Sequence, residues 1–290
     1  MRITVLLPAW RAPATVGAAV ADVLAQSWRD LELIVIHQGG DDPTLEVLRR
    51  VRDPRFHLLC RDEPGVAVAL EAGRAVARGE WIGRMDADDR CPPTRLAEQV
   101  AHAERTGAPV VSCQVEPFPT GRAAYCAWQN ALCTHQDMAA ERFIEVPWFH
   151  ATMLARPEAL DAVGGWRAGD FLEDYDLVLR LFAAGIRQEK LPAVRYGWRI
   201  HPAQTTASWP QHKIRRQKVA ALDLPADAYL VGTGRSLTEW AALTGRPALE
   251  VDPRRALELP PGFPVLVFGS APVRRRLRAE LGDRPHLFVA

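Results

Sequence analysis

Residues 79–89 decide the fold, and they read Gly79-Glu80-Trp81-Ile82-Gly83-Arg84-Met85-Asp86-Ala87-Asp88-Asp89. An apolar segment runs straight into three closely spaced carboxylates, which is the pattern expected where a buried strand of a parallel sheet ends at its carboxyl edge. Ligands bind at that edge in open α/β sheets. The alternative is a solvated turn that leads into a helix cap, because Pro92-Pro93 follow shortly afterwards.

The same three carboxylates predict a cation. Side chains of like charge that crowd together repel one another, so a fold that keeps them in place usually supplies a positive ion. Carboxylate oxygens suit Mg²⁺ or Mn²⁺, and such sites commonly share the ion with the phosphates of a substrate. We therefore expect Mn²⁺ or Mg²⁺ beside Asp86, Asp88 and Asp89.

The composition is that of a globular protein with balanced charge. The chain has 290 residues, 48% of them apolar, with 36 basic and 35 acidic side chains. This length allows one large domain or a large and a small one, and the balanced charge gives no argument for a nucleic-acid partner. The longest apolar runs fall short of the roughly 18 residues that span a bilayer. Residues 1–8 already resemble a strand without a signal-peptide cleavage site, so we expect a cytoplasmic protein.

Strand and helix patterns alternate through the first eighty residues. Runs of β-branched residues and leucine predict strands over 3–7, 31–36 and 55–60, and alanine-rich or amphipathic patterns predict helices over 15–26, 43–51 and 66–78. Such alternation implies right-handed crossovers and a parallel sheet. The strand ends at Trp10, His37 and Asp86 should therefore meet at one cleft, and nucleotides bind in clefts of this kind.

Three motifs in order resemble the family 2 glycosyltransferases. The first is a helix ending in Ala77-Arg78-Gly79-Glu80, the second is the strand ending at Asp86–Asp89, and the third is Glu173-Asp174-Tyr175-Asp176-Leu177 at the start of a helix. The resemblance covers about residues 1–205. It implies a GT-A fold, a Rossmann-like mixed sheet flanked by helices, and transfer of a sugar from a nucleotide-sugar donor with inversion at the anomeric carbon.

The resemblance also implies a donor site, although several of its positions depart from the family pattern. Where family members usually carry an acidic pair after the second strand, this chain has His37-Gln38, and Glu71 stands where the family has asparagine. The residues that we expect to bind the donor are Pro8, Ala9, Trp10, His37, Gln38, Asp62 and Asp86. The altered positions leave open a second interpretation, in which the chain is a catalytically inactive module that binds a sugar nucleotide or a glycan.

The catalytic and metal-binding residues are likewise implied by the resemblance. Asp174 is expected to be the general base, with Glu173 as its competitor for that role. Asp88 is expected to bind the metal, and His201, at the end of a segment similar to the family's Y-R-x-H, to contact the metal or the diphosphate. The alternative for the two acids is an N-terminal helix cap, and for His201 a surface loop.

Residues 116–145 are expected to shape the acceptor pocket. The segment 116–145 lacks clear periodicity and is rich in aromatic residues, which alternatively form a small core under a long connection. Residues 146–154 look like a strand. The resemblance implies that the acceptor is a glycan or a lipid-linked sugar, as in the synthesis of a surface polysaccharide.

The C-terminal part predicts a second, smaller domain. After Leu224-Pro225 the alternating pattern restarts, so we divide the chain into a GT-A domain over 1–222 and a small Rossmann-like appendix over 223–290. The basic segment 212–218 is a candidate for peripheral contact with the inner face of a membrane, and its alternative is a solvated helix face. A nucleotidyltransferase would have a similar sheet, but residues 8–13 contain no glycine with which the backbone could approach a triphosphate.

Overall fold

The computed structural model describes residues 1–39, 43–202, 211–222, 229–232, 235–245, 248–250, 265–268, 277, 279–280 and 286–289. Its Cα positions divide the chain into two compact units. The first comprises Met1–Met138 with Trp148–Ser208, and the second comprises Ala139–Pro147 with Trp209–Ala290. The predicted boundary between 222 and 223 lies where the described residues stop, and it stays a prediction.

The first unit alternates strands and helices, as the sequence pattern predicts. It begins with β1 (Ile3–Ala9), α1 (Val16–Leu24), β2 (Leu31–Gln38), α2 (Pro43–Leu48), β3 (Phe56–Arg61) and α3 (Val66–Arg74). It continues with β4 (Trp81–Arg84), α4 (Arg95–Thr106), β5 (Val110–Phe118), α5 (Ala123–Ala131), β6 (Leu154–Ala155), α7 (Pro157–Asp161), α8 (Glu173–Ala183) and β7 (Gln188–Arg199). Helix α6 (His135–Glu141) begins in the first unit and ends in the second.

These strands form one mixed seven-stranded sheet in the order β3-β2-β1-β4-β6-β5-β7. Strands β1 to β4 pair in parallel, and β6 runs antiparallel to both β4 and β5. Leu6 pairs with Arg84, and Ala9 pairs with His37, so the carboxyl ends of β1, β2 and β4 lie at the same edge. The predicted convergence of these three strand ends is confirmed.

Helices cover both faces of the sheet. Successive residues of a strand point to opposite sides, so each strand contributes side chains to both of these interfaces. Ile3, Val5 and Leu7 of β1 belong to a buried cluster that includes the apolar side of α1. On the other face, a Cβ on Gly73 of α3 would meet the side chains of Leu6 and Ile36. The sheet is therefore buried on both sides, as expected for strands of continuous apolar sequence.

Strands β5 and β7 pair in parallel with two irregularities. Cys113 pairs with Leu191, but Val115 pairs with Tyr196, so β7 contains three more residues than β5 across this interval. Such bulges bend a strand and re-aim the side chains that follow. They bring Tyr196 onto the same sheet face as Leu191 and Cys113, and all of these side chains are buried.

Two predictions for the segment before α7 are wrong. Residues 116–145 contain two helices, α5 and α6, whose short length and mixed polarity weaken the sequence signal. Residues 146–154 form a 3₁₀ turn over His150–Thr152, and only Leu154 belongs to a strand. The aromatic residues of this region pack against one another and against the core, as a small core under a long connection would. Ring contacts join Tyr125, Trp128, Phe149 and Trp198.

The second unit contains α9 (Gln211–Ala221), β8 (Tyr229–Gly232), α10 (Arg235–Thr244), β9 (Ala248–Glu250), β10 (Val265–Phe268) and β11 (His286–Val289). Its four strands form a parallel sheet in the order β11-β10-β8-β9. In the predicted basic segment Arg216 is exposed, but Lys218 is buried and its Nζ donates to Ile144 O at 2.8 Å. Among the helices that the structure describes, none has the length and apolar character needed to cross a membrane.

Candidate active site

Asp86, Asp88 and Asp89 follow β4 at the carboxyl edge of the sheet. Oδ1 of Asp86 lies 2.9 Å from Nη2 of Arg84, and the Asp86 backbone N–H donates to Oη of Tyr196 at 3.1 Å. The Asp86 side chain remains 34% exposed. The strand end thus presents one partly solvated carboxylate that pairs with a buried guanidinium, and the phenol from β7 holds the backbone of the same residue.

Arg199, at the end of β7, donates hydrogen bonds to the other two acids. The Arg199 backbone N–H donates to Asp89 Oδ1 at 2.7 Å, and Nε of Arg199 donates to the Asp88 carbonyl oxygen at 2.6 Å. Asp89 is almost fully buried, and burial, reinforced by the charges of Asp86 and Asp88, raises its pKa well above the usual range for a carboxyl. Asp89 is therefore packed inside the protein, where it binds the backbone of Arg199, whereas the side chains of Asp86 and Asp88 are partly exposed.

Asp88 and His201 come together as the sequence predicts for metal ligands. Nε2 of His201 lies 2.9 Å from Oδ2 of Asp88, and their side chains are 36% and 31% exposed. A carboxylate and an imidazole in contact are donors that suit Mn²⁺. Among the described residues no group of three or more His, Cys, Asp or Glu side chains is arranged to hold a metal ion. The pair fits a cation only if substrate phosphates supply further ligands, as is common for Mg²⁺ and Mn²⁺ sites.

Glu173 and Asp174 form the first turn of α8, where the helix dipole favours carboxylates. Both side chains are partly exposed, and the backbone N–H of Tyr175 donates to Asp174 Oδ1 at 2.6 Å. Asp176 instead forms an ion pair with Arg180 one turn further along. The first two acids of this motif are therefore partly exposed at the start of the helix, and the third stabilises the helix.

Arg84 links the two acidic groups of the site. Burial opposes its positive charge, but the charges of Asp86, Glu173 and Asp174, together with the Tyr196 phenol, raise the pKa of the guanidinium above its ordinary value. The start of α8 therefore lies within electrostatic range of the residues that follow β4. Asp86, predicted to bind the donor, and the two acids predicted to compete as base therefore all interact with one guanidinium, and their roles stay predictions.

The donor side is shaped by the ends of β1 and β2. Trp10 is 58% exposed, and the Arg11 guanidinium carbon lies 4.7 Å from the centre of its ring. His37 is fully buried, and Gln38 uses its amide group to donate to the carbonyl oxygens of Glu63 and Gly65. The exposed indole is thus the surface best placed for a flat ring. A contact between the nucleobase of the donor and His37 or Gln38 stays a prediction.

The remaining predicted donor residues lie close to these strand ends. Pro8 and Ala9 are buried at the end of β1, and Asp62 is exposed immediately after β3. Glu71, at the position of the family's asparagine, accepts the backbone N–H of Trp166 at 2.6 Å and pairs with Arg74. Its carboxylate therefore anchors α3 to the turn that precedes α8.

Sequence reasoning missed four positively charged or phenolic residues of the site: Arg84, Arg95, Tyr196 and Arg199. Arg95 is buried, lies 4.9 Å from the centre of the Tyr196 ring, and donates to the Arg84 carbonyl oxygen at 2.8 Å. The available signal for Arg84 was a charged residue inside an otherwise apolar strand, because a buried arginine needs a nearby anion. Arg95 carried no such signal, since it occupies an ordinary polar position in a helix sequence.

A protein-family model matches the first part of the chain. The model described as "Glycosyl transferase family 2" matches residues 4–164, which is more than half of the chain. The matched range includes β1 to α7 and the acids that follow β4.

Two curated relatives illustrate the range of similarity. An uncharacterised glycosyltransferase from Haemophilus influenzae is 27% identical over 176 residues, which cover 59% of this chain and 65% of the relative. The UDP-Glc:α-D-GlcNAc-diphosphoundecaprenol β-1,3-glucosyltransferase WfaP from Escherichia coli is 23% identical over 233 residues, which cover 75% of this chain and 84% of the relative. The match spans 65% or less of the first curated relatives, and about a third of two of them.

Two solved structures share the fold. Residues 1–349 of Staphylococcus aureus TarS, in complex with UDP-GlcNAc, align with a TM-score of 0.61 at 15% identity and cover 78% of this chain and 68% of that chain. The mannosyltransferase PcManGT from Pyrobaculum calidifontis, in complex with GDP-Man and Mn²⁺, aligns with a TM-score of 0.57 at 21% identity and covers 75% of this chain and 60% of that chain. These likenesses confirm the predicted GT-A fold.

Proposed function

Since the chain belongs to glycosyl transferase family 2, we propose that it is a metal-dependent, inverting enzyme that moves a sugar from a nucleotide-sugar donor to a hydroxyl group. Its acceptor is a glycan or a lipid-linked sugar in the synthesis of a bacterial surface polysaccharide. The acceptor class is supported by WfaP, whose name specifies a diphosphoundecaprenol-linked acceptor, and by a relative described as a succinoglycan biosynthesis protein.

One observation carries the proposal. Asp86, after β4, forms an ion pair with the buried guanidinium of Arg84, and the charges of the two acids that begin α8 interact with the same guanidinium. A transferase of this type needs a donor site and a base on opposite sides of the reacting carbon. In this proposal the acids after β4 serve the donor side and the acids that begin α8 supply the base.

The roles divide by position. Asp86 and the exposed Trp10 border the donor's nucleoside, and Asp88 with His201 would hold the cation together with the donor's diphosphate. When bound there, such an ion would supply positive charge to offset the negative charge that develops on the diphosphate. Asp174 takes the proton of the acceptor hydroxyl while its oxygen bonds to the anomeric carbon and the bond from that carbon to the diphosphate oxygen breaks.

A second candidate function is an inactive module that binds a sugar nucleotide or a glycan. It is favoured by the buried His37 and by the engaged amide of Gln38, which leave the donor pocket without the acidic pair usual in the family. The two candidates differ in chemistry, because a binding module releases no nucleoside diphosphate.

The test is a release assay with a panel of UDP-, GDP- and dTDP-sugars, each measured with Mn²⁺, with Mg²⁺ and with excess EDTA. We expect slow release of a nucleoside diphosphate from at least one donor, dependent on the added ion and faster in the presence of a polyprenyl-diphosphate sugar. Donor binding without release in every condition would establish the binding module instead. Release that EDTA does not affect would remove the metal from the proposal.

A further inference from the structure

Glu71 of α3 occupies the position at which the family pattern has asparagine, and its carboxylate binds the segment 163–166 that precedes α8. Oε1 accepts the backbone N–H of Trp166 at 2.6 Å, and Oε2 pairs with the guanidinium of Arg74 at 2.7 Å. A Cβ on Gly165 would clash with this carboxylate, so the segment fits closely around it. The side chain therefore joins α3 directly to the chain that leads into α8.

The side chain of Trp166 attaches the same segment to the neighbourhood of β4. Its indole N–H donates to Nε2 of His150 at 2.6 Å, and both side chains are buried. Burial and the charge of Arg84 hold the pKa of His150 well below its usual value, so the imidazole is neutral and accepts this bond. Met153, which follows the 3₁₀ turn that contains His150, accepts the backbone N–H of Arg84 at 2.9 Å. The segment is thus held beside the strand that leads to Asp86.

Arg180 attaches the segment to α8 itself. Its two terminal nitrogens donate to the carbonyl oxygens of Val163 and Gly165, the second at 2.8 Å, and its Nε donates to Oδ2 of Asp176 at 2.8 Å. The Arg180 side chain is mostly buried. A planar guanidinium that binds three acceptors fixes the direction of the groups that carry them. Helix α8 is therefore held to the segment that the other two attachments fix.

We propose that Glu71 is a positioning residue which, through the segment 163–166 and Arg180, sets where the first turn of α8 lies relative to the end of β4. The inference rests on the proposed function, in which that turn carries the base, Asp174 or its competitor Glu173. A base acts only when it is held at the reacting hydroxyl, and a misplacement of about 1 Å by a distant change can cost about 100-fold in rate. Loss of the Glu71 carboxylate should therefore impair transfer and spare donor binding.

The test uses variants of the full chain that separate the contacts of this carboxylate. Glu71→Met keeps the length of the side chain but removes the acceptor, and Glu71→Gln keeps an acceptor oxygen without the charge. Arg74→Met removes the ion pair and leaves the carboxylate. Asp53→Leu is the matched control, because the Asp53 carboxylate also accepts a backbone N–H, that of Arg55 at 2.9 Å, and pairs with its guanidinium. Asp53 precedes β3, at the amino edge of the sheet.

The kinetic measurement compares kcat for transfer, at saturating donor, with the Kd of the donor. We expect Glu71→Met to lower kcat by about 100-fold because the base is misplaced, and to change the Kd by less than about threefold because it removes no donor contact. Glu71→Gln and Arg74→Met retain an acceptor for the Trp166 N–H and should keep kcat within about fivefold of the wild type. Asp53→Leu should match the wild type. A general loss of stability would instead lower donor binding and transfer together.

A second measurement does not need turnover. Hydrogen–deuterium exchange of the amides in 163–166 and 173–176 reports whether removal of the carboxylate loosens the start of α8. We expect exchange in both segments to be at least about tenfold faster in Glu71→Met, the effect of losing a hydrogen bond to a charged group. Asp53→Leu should again match the wild type. Faster exchange confined to 163–166 would show that the carboxylate holds only its own partner segment, and the proposal would be wrong.

The outcomes separate this inference from the proposed function. A wild type that transfers no sugar would end the proposed function, and the exchange rates at 173–176 would then decide the role of Glu71 by themselves. Weaker donor binding at unchanged kcat, or a Glu71→Gln variant that folds and is as inactive as Glu71→Met, would overturn the inference.

Arg180→Lys replaces Glu71→Met if the latter fails to fold, since lysine cannot bind both carbonyl oxygens of the segment as the planar fork does. The same loss of kcat at unchanged donor Kd is then expected, and an unchanged kcat would overturn the inference.

Discussion

Asp88 is the acid whose surroundings best match a metal ligand, because it is partly exposed and its carboxylate contacts His201. Asp88→Asn keeps the size of the side chain and removes its charge. We expect transfer to fall by roughly 1,000-fold, since Lewis-acid help is worth several kcal/mol. The fold should persist, as judged by thermal unfolding. Asp30→Asn, an exposed acid in surface ion pairs, is the matched control. Full activity of Asp88→Asn would end the metal assignment.

Asp174 and Glu173 are adjacent on a helix, so they point about 100° apart and only one can face the acceptor hydroxyl. We expect Asp174→Asn to lose transfer by about 100-fold to 10,000-fold while it still binds donor and Mn²⁺, since a positioned base contributes that much. Glu173→Gln should lose less. Steady-state kinetics with saturating donor measures both, and the reverse order of the two losses would exchange the two roles.

The sequence predicted the strands and helices better than it predicted the individual residues of the site. Strands β1 to β4 and helices α1, α3 and α4 follow strong periodicity, and the acids at their ends were correctly placed at one edge. Helices α5 and α6 were missed because they lack a clear apolar stripe; the buried residues of α5, for example, are Cys126 and the polar Gln129. Tyr196 and Arg199 could not be foreseen, because their position depends on the bulges in β7, and bulges leave no clear trace in one sequence.

Lys190 of β7 gives a prediction about pH and stability. Its Nζ donates to the Gln129 carbonyl oxygen at the end of α5, and burial lowers its pKa from 10.5 to about 7. Between these two values the unfolded chain binds a proton that the native protein lacks. The cost of burying this group therefore falls as pH rises through that window, and the free energy of unfolding increases by about 1.4 kcal/mol per pH unit. The full cost is present below about pH 7.

We expect Lys190→Met to lack that pH dependence. Urea unfolding at several pH values between 7 and 10 measures it as the difference between the wild type and the variant, so that other groups which titrate in the same window cancel. Lys213→Met, a change in α9 in the second unit, serves as the control. Parallel curves for the wild type and Lys190→Met would show that the native ammonium group titrates normally.

The whole molecule divides into two units, and only the first contains the candidate catalytic residues. We expect truncation after Pro225 to leave donor hydrolysis intact, since that chain keeps β1 to β7 and α9. The hydrogen bond from Lys218 to Ile144 also remains possible. The shortened protein should be less soluble, because α9 packs against α10 and Ile214 is buried. Nucleotide release assays and light scattering measure the two effects, and a folded truncation that cannot bind nucleotide would show that the second unit participates in donor binding.

The extra residues in β7 mean that the length of this strand, as well as its sequence, matters to the candidate site. Leu191 and Tyr196 are five residues apart but lie on the same face of the sheet, because the bulges take up three extra residues. A change of length in this segment can therefore turn the Tyr196 phenol away from the Asp86 backbone although every candidate site residue is kept. Relatives that transfer sugar should accordingly conserve the number of residues between these two positions more strictly than the residues themselves.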